Sequence, residues 1–216
     1  MSDQTFKAAV IQMCTGVEVA PNIADACQMI REAHGAGADF ITTPENTASI
    51  SIRKADIQGQ EARQDFHPAV SAFGSLADEL NTWLMIGSIG IDVEMPQGEP
   101  AKYANRSFLF GPDGRVEATY DKIHMFDVDV SQTESWRESE TFEAGKKAVG
   151  ANLPWGGLGL TICYDMRFAH LYRTLAKAGA DFFTVPSAFT VPTGQAHWHV
   201  LLRARAIECG AYLFAP

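Results

Sequence analysis

Residues 157–168 read GLGLTICYDMRF, an apolar run that ends abruptly in a cysteine and then turns polar. The apolar part, 158–162, is too short for a helix, is flanked by glycines and carries a β-branched pair, so it predicts a buried strand. Cys163 then lies at the carboxyl end of that strand, the edge at which open α/β folds display reacting side chains. Because a cysteine is often only a small buried apolar residue, its role as a nucleophile depends on what else meets at this edge.

Strands and helices alternate along the rest of the chain. Residues 6–13 predict a central strand, and residues 39–43 predict another. Between them, Pro21 opens a helix that Gly35 and Gly37 end, which makes a βαβ unit with parallel strands. The other predicted helices are 68–81, 168–178 and 195–209, and the other predicted strands are 83–89, 103–110, 115–120, 181–185 and 211–214. This alternation is typical of an α/β fold.

Three connecting segments stand out. The turn 111–114, Gly-Pro-Asp-Gly, predicts an antiparallel hairpin between the strands on either side of it, and Lys122 follows the second of those strands. Residues 49–66 are polar and predict an irregular surface segment. Residues 123–145 are also mostly polar and predict a long loop, and loops of such length tend to be functional.

A short stretch of sequence occurs twice. Residues 36–44, AGADFITTP, match residues 178–186, AGADFFTVP, at seven of nine positions. Each copy runs from the end of a predicted helix into a predicted strand. The repeat indicates two similar half-domains.

The composition favours one domain that acts on a small molecule. A chain of 216 residues with 46% hydrophobic residues can form a single packed core. The formal net charge of −9 argues against nucleic acid or an anionic membrane as the partner. No signal peptide and no membrane-spanning apolar run are recognisable, so the sequence predicts a cytoplasmic protein. Its cysteines lack zinc-like spacing and are expected to stay as thiols; they are at positions 14, 27, 163 and 209.

Two further reactive side chains follow predicted strands in the same way as Cys163. Glu45 comes just after the strand 39–43, and Lys122 comes just after the strand 115–120. If these strands run in one direction, the three groups meet at one edge. A carboxylate can accept the proton of a thiol, and an ammonium can lower the pKa of the thiol and stabilise a developing oxyanion. Glu45 could instead cap a helix, and Lys122 could be an ordinary surface base.

Three blocks of sequence carry a family resemblance. Residues 43–46 (TPEN), 120–126 (YDKIHMF) and 162–168 (ICYDMRF) resemble the Glu-Lys-Cys motifs of the nitrilase, or carbon–nitrogen hydrolase, superfamily. The blocks 122–126, 136–141 and 186–206 are similar to its Nit branch, which contains omega-amidases and deaminated glutathione amidases. The resemblance covers essentially the whole chain.

The resemblance implies a fold and an assembly. It implies a four-layer α-β-β-α sandwich with two similar halves, which agrees with the repeat. Residues 1–216 are then expected to form one carbon–nitrogen hydrolase domain, incomplete at the C-terminus because relatives continue with further strands. A homodimer or a larger homo-oligomer is implied for the full-length form.

The resemblance also implies roles for individual residues. Glu45 is the expected general base, Lys122 the oxyanion stabiliser together with the backbone N–H of Tyr164, and Cys163 the nucleophile. Glu138 matches a second glutamate that lies near the catalytic lysine in the family. Further expected contacts with substrate are Arg167, at a position where relatives use an arginine near a substrate carboxylate, and the pocket-lining residues Ala188, Phe189 and Thr190.

The implied reaction is hydrolysis of a small linear amide through a thioester. Cys163 attacks the amide carbon while Glu45 accepts its proton, ammonia leaves, and Glu45 then activates water against the thioester. The scheme needs no metal and no organic cofactor. Arg167 favours a carboxylate-bearing amide over a neutral nitrile as the substrate, although a nitrile or N-carbamoyl hydrolase of the same superfamily is an alternative.

Three other classes of function compete with this one. A metal-dependent hydrolase could use His197 and His199, but residues two apart on a helix point to different faces. A cysteine–histidine protease could use Cys163 with His124, but it leaves Glu45 and Lys122 without roles. A catalytically silent binding module would retain the motif only as a relic.

Overall fold

The computed structural model describes residues 5–51 and 63–216. Within them the helices are α1 (Val19–Gly35), α2 (Pro68–Leu80), α3 (Ala169–Lys177) and α4 (Val191–Cys209). The strands are β1 (Ala8–Val10), β2 (Phe40–Thr42), β3 (Trp83–Asp92), β4 (Tyr103–Phe110), β5 (Val116–Asp121), β6 (Asp127–Asp129), β7 (Ser135–Arg137), β8 (Val149–Leu153), β9 (Gly156–Leu160), β10 (Ala180–Thr184) and β11 (Tyr212–Phe214). The polar segment predicted at 49–66 lies for the most part outside the described residues.

Two larger sheets and one small hairpin organise these strands. The first sheet has the order β1-β2-β3-β4-β5, in which β1, β2 and β3 are parallel and each of β4 and β5 is antiparallel to its predecessor. It follows that β5 runs in the same direction as β2. The second sheet has the order β11-β10-β9-β8, in which only β8 is antiparallel. Within the described part of the chain, the strands β6 and β7 pair only with each other.

The apolar side chains divide into three cores that define the layers. Phe40, Met85 and Leu109 of the first sheet pack against Leu158 and Phe182 of the second sheet. Helices α1 and α2 cover the other face of the first sheet, and α3 and α4 cover the other face of the second sheet. This arrangement confirms the expected four-layer α-β-β-α sandwich. Among the described residues, no helix combines the length and the apolar character needed to cross a membrane.

The repeated sequence occupies equivalent corners in the two halves. Residues 36–44 lead from the end of α1 into β2, and residues 178–186 lead from the end of α3 into β10. Phe40 and Phe182 occupy the same place in the two copies, and both pack in the core between the sheets. The two halves of the sandwich are therefore built on one local pattern.

The first strand differs from its prediction. It lies at the edge of the first sheet and not in its centre, and only Ala8–Val10 pair with β2. The run 6–13 is apolar because its ends pack in two different cores, Phe6 between the sheets and Ile11 against the helices. Hydrophobicity alone therefore overstated both the length of this strand and its burial.

Two other elements also extend beyond the sequence prediction. The segment 123–145, predicted as a loop, contains the β6–β7 hairpin and a short 3-10 helix at Glu138–Glu140. Helix α4 begins at Val191, before the predicted start at Gln195, because the Thr190 side chain caps its first turn and Pro192 is tolerated there.

Candidate active site

The structure brings Glu45, Lys122 and Cys163 together between the two sheets. Glu45 follows β2 and Lys122 follows β5, so both side chains leave the same edge of the first sheet. Cys163 follows β9 of the second sheet, so the expectation of one shared sheet edge is corrected: two edges face each other across the sandwich. All three residues are almost completely buried, with 2–5% of their surface exposed.

The Lys122 ammonium lies between two carboxylates. Its Nζ is 3.0 Å from Glu45 Oε1 and 2.9 Å from the Glu138 carboxylate. Burial disfavours the charged form of Lys122, but the negative charges of Glu45 and Glu138 outweigh burial and hold its pKa well above the ordinary value. Lys122 is therefore a fixed cation at neutral pH, as a group that stabilises an oxyanion must be.

Asn105, on β4, completes this cluster and was missed by the sequence analysis. Its Nδ2 donates to Glu45 Oε1 at 3.0 Å and to Glu138 Oε1 at 3.2 Å. Its backbone carbonyl accepts the N–H of Lys122 at 3.0 Å. The available signal was a polar amide in a strand whose other residues are largely buried, because a buried polar side chain needs partners.

The loop that carries Glu45 is fixed on both sides. Glu45 Oε2 accepts the backbone N–H of Ala188 at 2.8 Å, a contact from the second sheet's side of the site. On the other side, β3 approaches so closely that a Cβ atom on Gly87 would lie 2.2 Å from the carbonyl oxygen of Thr43. A residue larger than glycine at position 87 would displace this loop.

Cys163 begins a short 3-10 helix, Cys163–Arg167, in an unusual backbone conformation. Its φ is +47°, in the left-handed region that non-glycine residues rarely adopt. The N–H of Cys163 donates to the carbonyl of Pro186 at 2.9 Å, which ties the turn to the loop after β10. Such strain is concentrated at functional sites because the surroundings must enforce it.

The thiol of Cys163 rests in its protonated form. Burial raises the pKa of this thiol well above the ordinary value, and the negative charge and hydrogen bond of Glu45 raise it further. Lys122 acts in the opposite direction but does not prevail. Lys122 therefore lowers the pKa of the thiol in the expected direction, but burial and Glu45 outweigh it, so deprotonation requires a base, for which the Glu45 carboxylate is in contact.

A second buried carboxylate, Asp165, joins the segment around Lys122 to the turn of Cys163. Asp165 is fully buried and accepts the Tyr120 hydroxyl at 2.7 Å, the backbone N–H of Ile162 at 2.9 Å and the backbone N–H of His124 at 3.1 Å. Its Oδ1 also lies 2.6 Å from His124 Nδ1. Residues 120 and 124 flank the lysine, so one side chain aligns the two reactive segments.

A cavity of about 530 Å³ opens onto the cluster. The predicted residues that line it are Glu45, Lys122, Glu138, Cys163, Ala188, Phe189 and Thr190. Tyr164 and Arg167 line a neighbouring cavity of about 380 Å³ instead. The two cavities share Phe126 and Phe189, so Arg167 lies beside the cavity of the nucleophile and not within it.

The histidines of the competing interpretations lie elsewhere or are engaged. His124 is bound to Asp165, and His197 lines the neighbouring cavity. Across residues 5–51 and 63–216, no group of three or more His, Cys, Asp or Glu side chains is placed to hold a metal ion.

Comparisons of sequence place the chain among known amidases. The family model described as "Carbon-nitrogen hydrolase" matches residues 7–216. The deaminated glutathione amidase of Yersinia enterocolitica is 37% identical over 201 residues, which are 93% of this chain and 68% of that protein. The omega-amidase NIT2 of Homo sapiens is 34% identical over 209 residues, which are 97% of this chain and 73% of that protein.

Solved structures agree with the sequence relatives. The C. elegans NitFhit protein superposes with a TM-score of 0.83 at 32% identity, over 97% of this chain and 50% of that longer chain. Nit3 of Saccharomyces cerevisiae, described as a member of branch 10 of the nitrilase superfamily, superposes with a TM-score of 0.81 at 26% identity, over 98% of this chain and 75% of that chain. The chain therefore belongs to the carbon–nitrogen hydrolase family, in the nitrilase superfamily, and is similar to its Nit branch.

Proposed function

We propose that this protein is a cysteine-dependent amidase, which releases ammonia from a small carboxylate-bearing amide through a thioester. The observation that carries the proposal is the contact of a protonated thiol, a carboxylate and a buried ammonium in one cavity. The names of the relatives, deaminated glutathione amidase and omega-amidase, support the same reaction class.

The first half-reaction forms a carbon–sulfur bond and breaks a carbon–nitrogen bond. Glu45 accepts the proton of Cys163 as the sulfur attacks the amide carbon, and the carbonyl oxygen becomes an oxyanion. Glu45 then returns this proton to the leaving nitrogen, which departs as ammonia. The remaining acyl group is bound to Cys163 as a thioester.

We assign the stabilisation of the oxyanion to Lys122 and to the backbone N–H of Tyr164. Lys122 stays charged at neutral pH and lines the cavity beside Cys163. Tyr164 is the second residue of the 3-10 helix, where backbone N–H groups lack acceptors within the helix. A charged donor in a site without bulk water stabilises developing charge more strongly than the same group in solution.

The second half-reaction consumes water. Glu45, again ionised, takes a proton from a water molecule that attacks the thioester carbon, and the thiolate leaves and recovers a proton. The products are a carboxylic acid and the resting thiol. Glu138 holds Lys122 in place through both half-reactions, because its other oxygen is fixed by the N–H of Phe126 at 2.7 Å.

The neighbouring cavity suits the carboxylate end of the substrate. Arg167 and Thr193 line it, and its shared wall with the catalytic cavity is apolar. A guanidinium can bind a carboxylate with two parallel hydrogen bonds. The substrate therefore spans both cavities, with its amide at Cys163 and its carboxylate at Arg167.

Two broader features also belong to the proposal. The chain forms one carbon–nitrogen hydrolase domain, since both sheets contribute to one site, and it works in the cytoplasm, where its four free cysteines stay reduced. It assembles into a homodimer or a larger homo-oligomer. Exposed apolar side chains on α4 and β11 favour assembly: Val191, Val200, Ile207 and Tyr212.

The direct test measures ammonia release from alpha-ketoglutaramate, deaminated glutathione, a simple aliphatic amide and a nitrile. We expect hydrolysis of at least one carboxylate-bearing amide. Cys163→Ala should abolish it, whereas Cys209→Ala, which removes a thiol outside the site, should not. Ammonia release that persists in Cys163→Ala, activity confined to the nitrile, or no activity on any of the four compounds would contradict the proposal.

A further inference from the structure

We propose that Asn105 is a positioning residue that holds the Glu45 carboxylate in place as the base of the reaction. The inference rests on the proposed function, because it assigns Glu45 the task of taking the Cys163 proton. Asn105 does not line up with any of the three motif blocks of the sequence. Its side chain nevertheless contacts both glutamates of the site.

The orientation of the Asn105 amide is fixed by its partners. Ionised Glu45 and Glu138 can only accept hydrogen bonds, so the Nδ2 group, which has two N–H donors, must face them. The oxygen Oδ1 then points away, is buried and has no hydrogen-bond partner within the described residues. Leaving a buried amide oxygen unsatisfied is unfavourable, and the two charge-assisted bonds on the other side of the amide offset this.

The charges of the site explain why a neutral donor is needed. Glu45 and Glu138 place two negative charges around the single positive charge of Lys122. Hydrogen bonds to a carboxylate favour its ionised form, and Asn105 gives one to each glutamate without adding charge. An aspartate of the same shape would bring a third acidic group into the same buried space.

Asn105 also couples the base to the lysine through the main chain. The same residue that donates to Glu45 accepts the backbone N–H of Lys122 at 3.0 Å. Because Asn105 is 2% exposed on a strand inside the first sheet, its position is set by the fold and not by the substrate. Asn105 also borders the catalytic cavity, so removing its side chain should change the base first, and the pH profile separates this effect from any change in affinity for substrate.

The test compares Asn105→Ala and Asn105→Asp with Ser107→Ala. Ser107 lies two residues along β4 and is equally buried, and its hydroxyl donates to the carbonyl of Gly87, so its loss removes a buried hydrogen bond outside the charge cluster. Two assays are run as a function of pH: steady-state ammonia release, which gives kcat and KM, and iodoacetamide alkylation of the Cys163 peptide, whose rate is measured by mass spectrometry. Alkylation needs no substrate, so it reports the base even if the amidase assay fails.

In Asn105→Ala, we expect the low-pH limb of both profiles to move upward by roughly one pH unit, since a hydrogen bond to a charged group has about that value. We expect kcat to fall about tenfold at pH values on that limb, with KM nearly unchanged, in proportion to the ionised base that is lost there. Asn105→Asp should move the limb further, and because it keeps the shape of the side chain it carries the test if the alanine variant does not fold. Ser107→Ala should leave the limb in place.

A low-pH limb that stays in place in both Asn105 variants would overturn the inference, even if their rates fall. A limb that moves equally in Ser107→Ala would also overturn it. If the alkylation limb moves but no amide is hydrolysed by the wild-type protein, the proposed function fails while the role of Asn105 stands. If hydrolysis depends on Cys163 but neither limb moves, the proposed function stands while the role of Asn105 fails.

Discussion

Cys163 shows how the surroundings of one residue enforce its conformation. A left-handed backbone at a residue with a Cβ atom costs on the order of 1–2 kcal/mol. The fold offsets this cost with the bond from Cys163 N–H to Pro186 and with Asp165, which accepts the N–H of the preceding residue Ile162. As a result, the Cys163 sulfur is held beside the Glu45 carboxylate, so that proton transfer needs no rearrangement of the chain.

Arg167 permits a prediction about specificity. Arg167→Lys keeps the positive charge but loses the planar pair of donors, so kcat/KM should fall by about tenfold to a hundredfold for carboxylate-bearing amides. It should change little for a neutral aliphatic amide. Steady-state kinetics on both substrate types measure the difference, with the exposed Arg173→Lys as the matched control. An equal loss on the neutral amide would contradict the assignment of Arg167.

Sequence reasoning at this scale found residues that belong to a motif more readily than isolated ones. Glu45, Lys122 and Cys163 were predictable because each follows a strand, and Glu138 was reached through the family resemblance. Asn105 was not predicted, because a lone asparagine in a strand carries no motif. The direction of the Cys163 pKa was also beyond the sequence, since it depends on whether burial or the nearby ammonium prevails.

The repeated corners are the clearest link between sequence and structure at the level of elements. Thr42 of β2 and Thr184 of β10 occupy the same place in the two copies, on the side of each strand that faces the other sheet. Both are fully buried, and neither hydroxyl has a hydrogen-bond partner within the described residues. These hydroxyls therefore weaken the core that they help to fill.

The unsatisfied hydroxyl of Thr184 predicts a stabilising substitution. Thr184→Val replaces an unsatisfied hydroxyl with a methyl group and should raise the free energy of unfolding by about 1 kcal/mol. Thr161→Val is the matched control, because the Thr161 hydroxyl bonds with both the Tyr172 hydroxyl and the Thr184 carbonyl. That variant should lose about 1–2 kcal/mol. Urea unfolding measures both, and equal destabilisation of the two variants would show that the Thr184 hydroxyl has a partner.

Most elements could be predicted from the period and length of their apolar runs, and the exceptions have physical causes. The β6–β7 hairpin is short and polar, so no apolar alternation marks it, although Asp127 pairs with Arg137 across the ladder. The apolar run 6–13 looked like a central strand because it borders two cores. An apolar pattern indicates which side chains are buried, and strand pairing can be inferred from it only indirectly.

The whole molecule should lose stability at alkaline pH. Four buried groups keep their protons in the folded state to higher pH than in the unfolded chain: burial and nearby charges raise the pKa values of Cys163, Tyr120 and Tyr172, and two carboxylates raise that of Lys122. Because their folded pKa values are raised, their contribution to stability is complete below the unfolded pKa values and is lost as pH rises above them.

The expected slope is steep. Each group that titrates only in the unfolded chain lowers the free energy of unfolding by about 1.4 kcal/mol per pH unit, from about pH 9 for the cysteine and about pH 10 for the others. Tyr172→Phe removes one of these groups, so the free energy of unfolding should fall less steeply with pH, by the contribution of that group. Tyr212→Phe, at a position that is 73% exposed, is the matched control. Urea unfolding between pH 8 and about 11 measures the slope, and an unchanged slope in Tyr172→Phe would contradict the prediction.

The layered architecture follows from the resemblance and the alternation of elements, but the division of the site between two sheets does not follow from strand order alone. The sequence placed Glu45, Lys122 and Cys163 after strands, and it could not assign those strands to separate sheets. That assignment depends on which apolar faces meet, here Phe40 with the face of Phe182.

The bond from Ala188 to Glu45 crosses from one repeated half to the other. If the chain were cut between β7 and β8, the base and the lysine would travel with the first fragment and the nucleophile with the second. Hydrolysis by a mixture of the two fragments would then show that they have reassembled. The same division means that neither half holds the three reactive groups by itself.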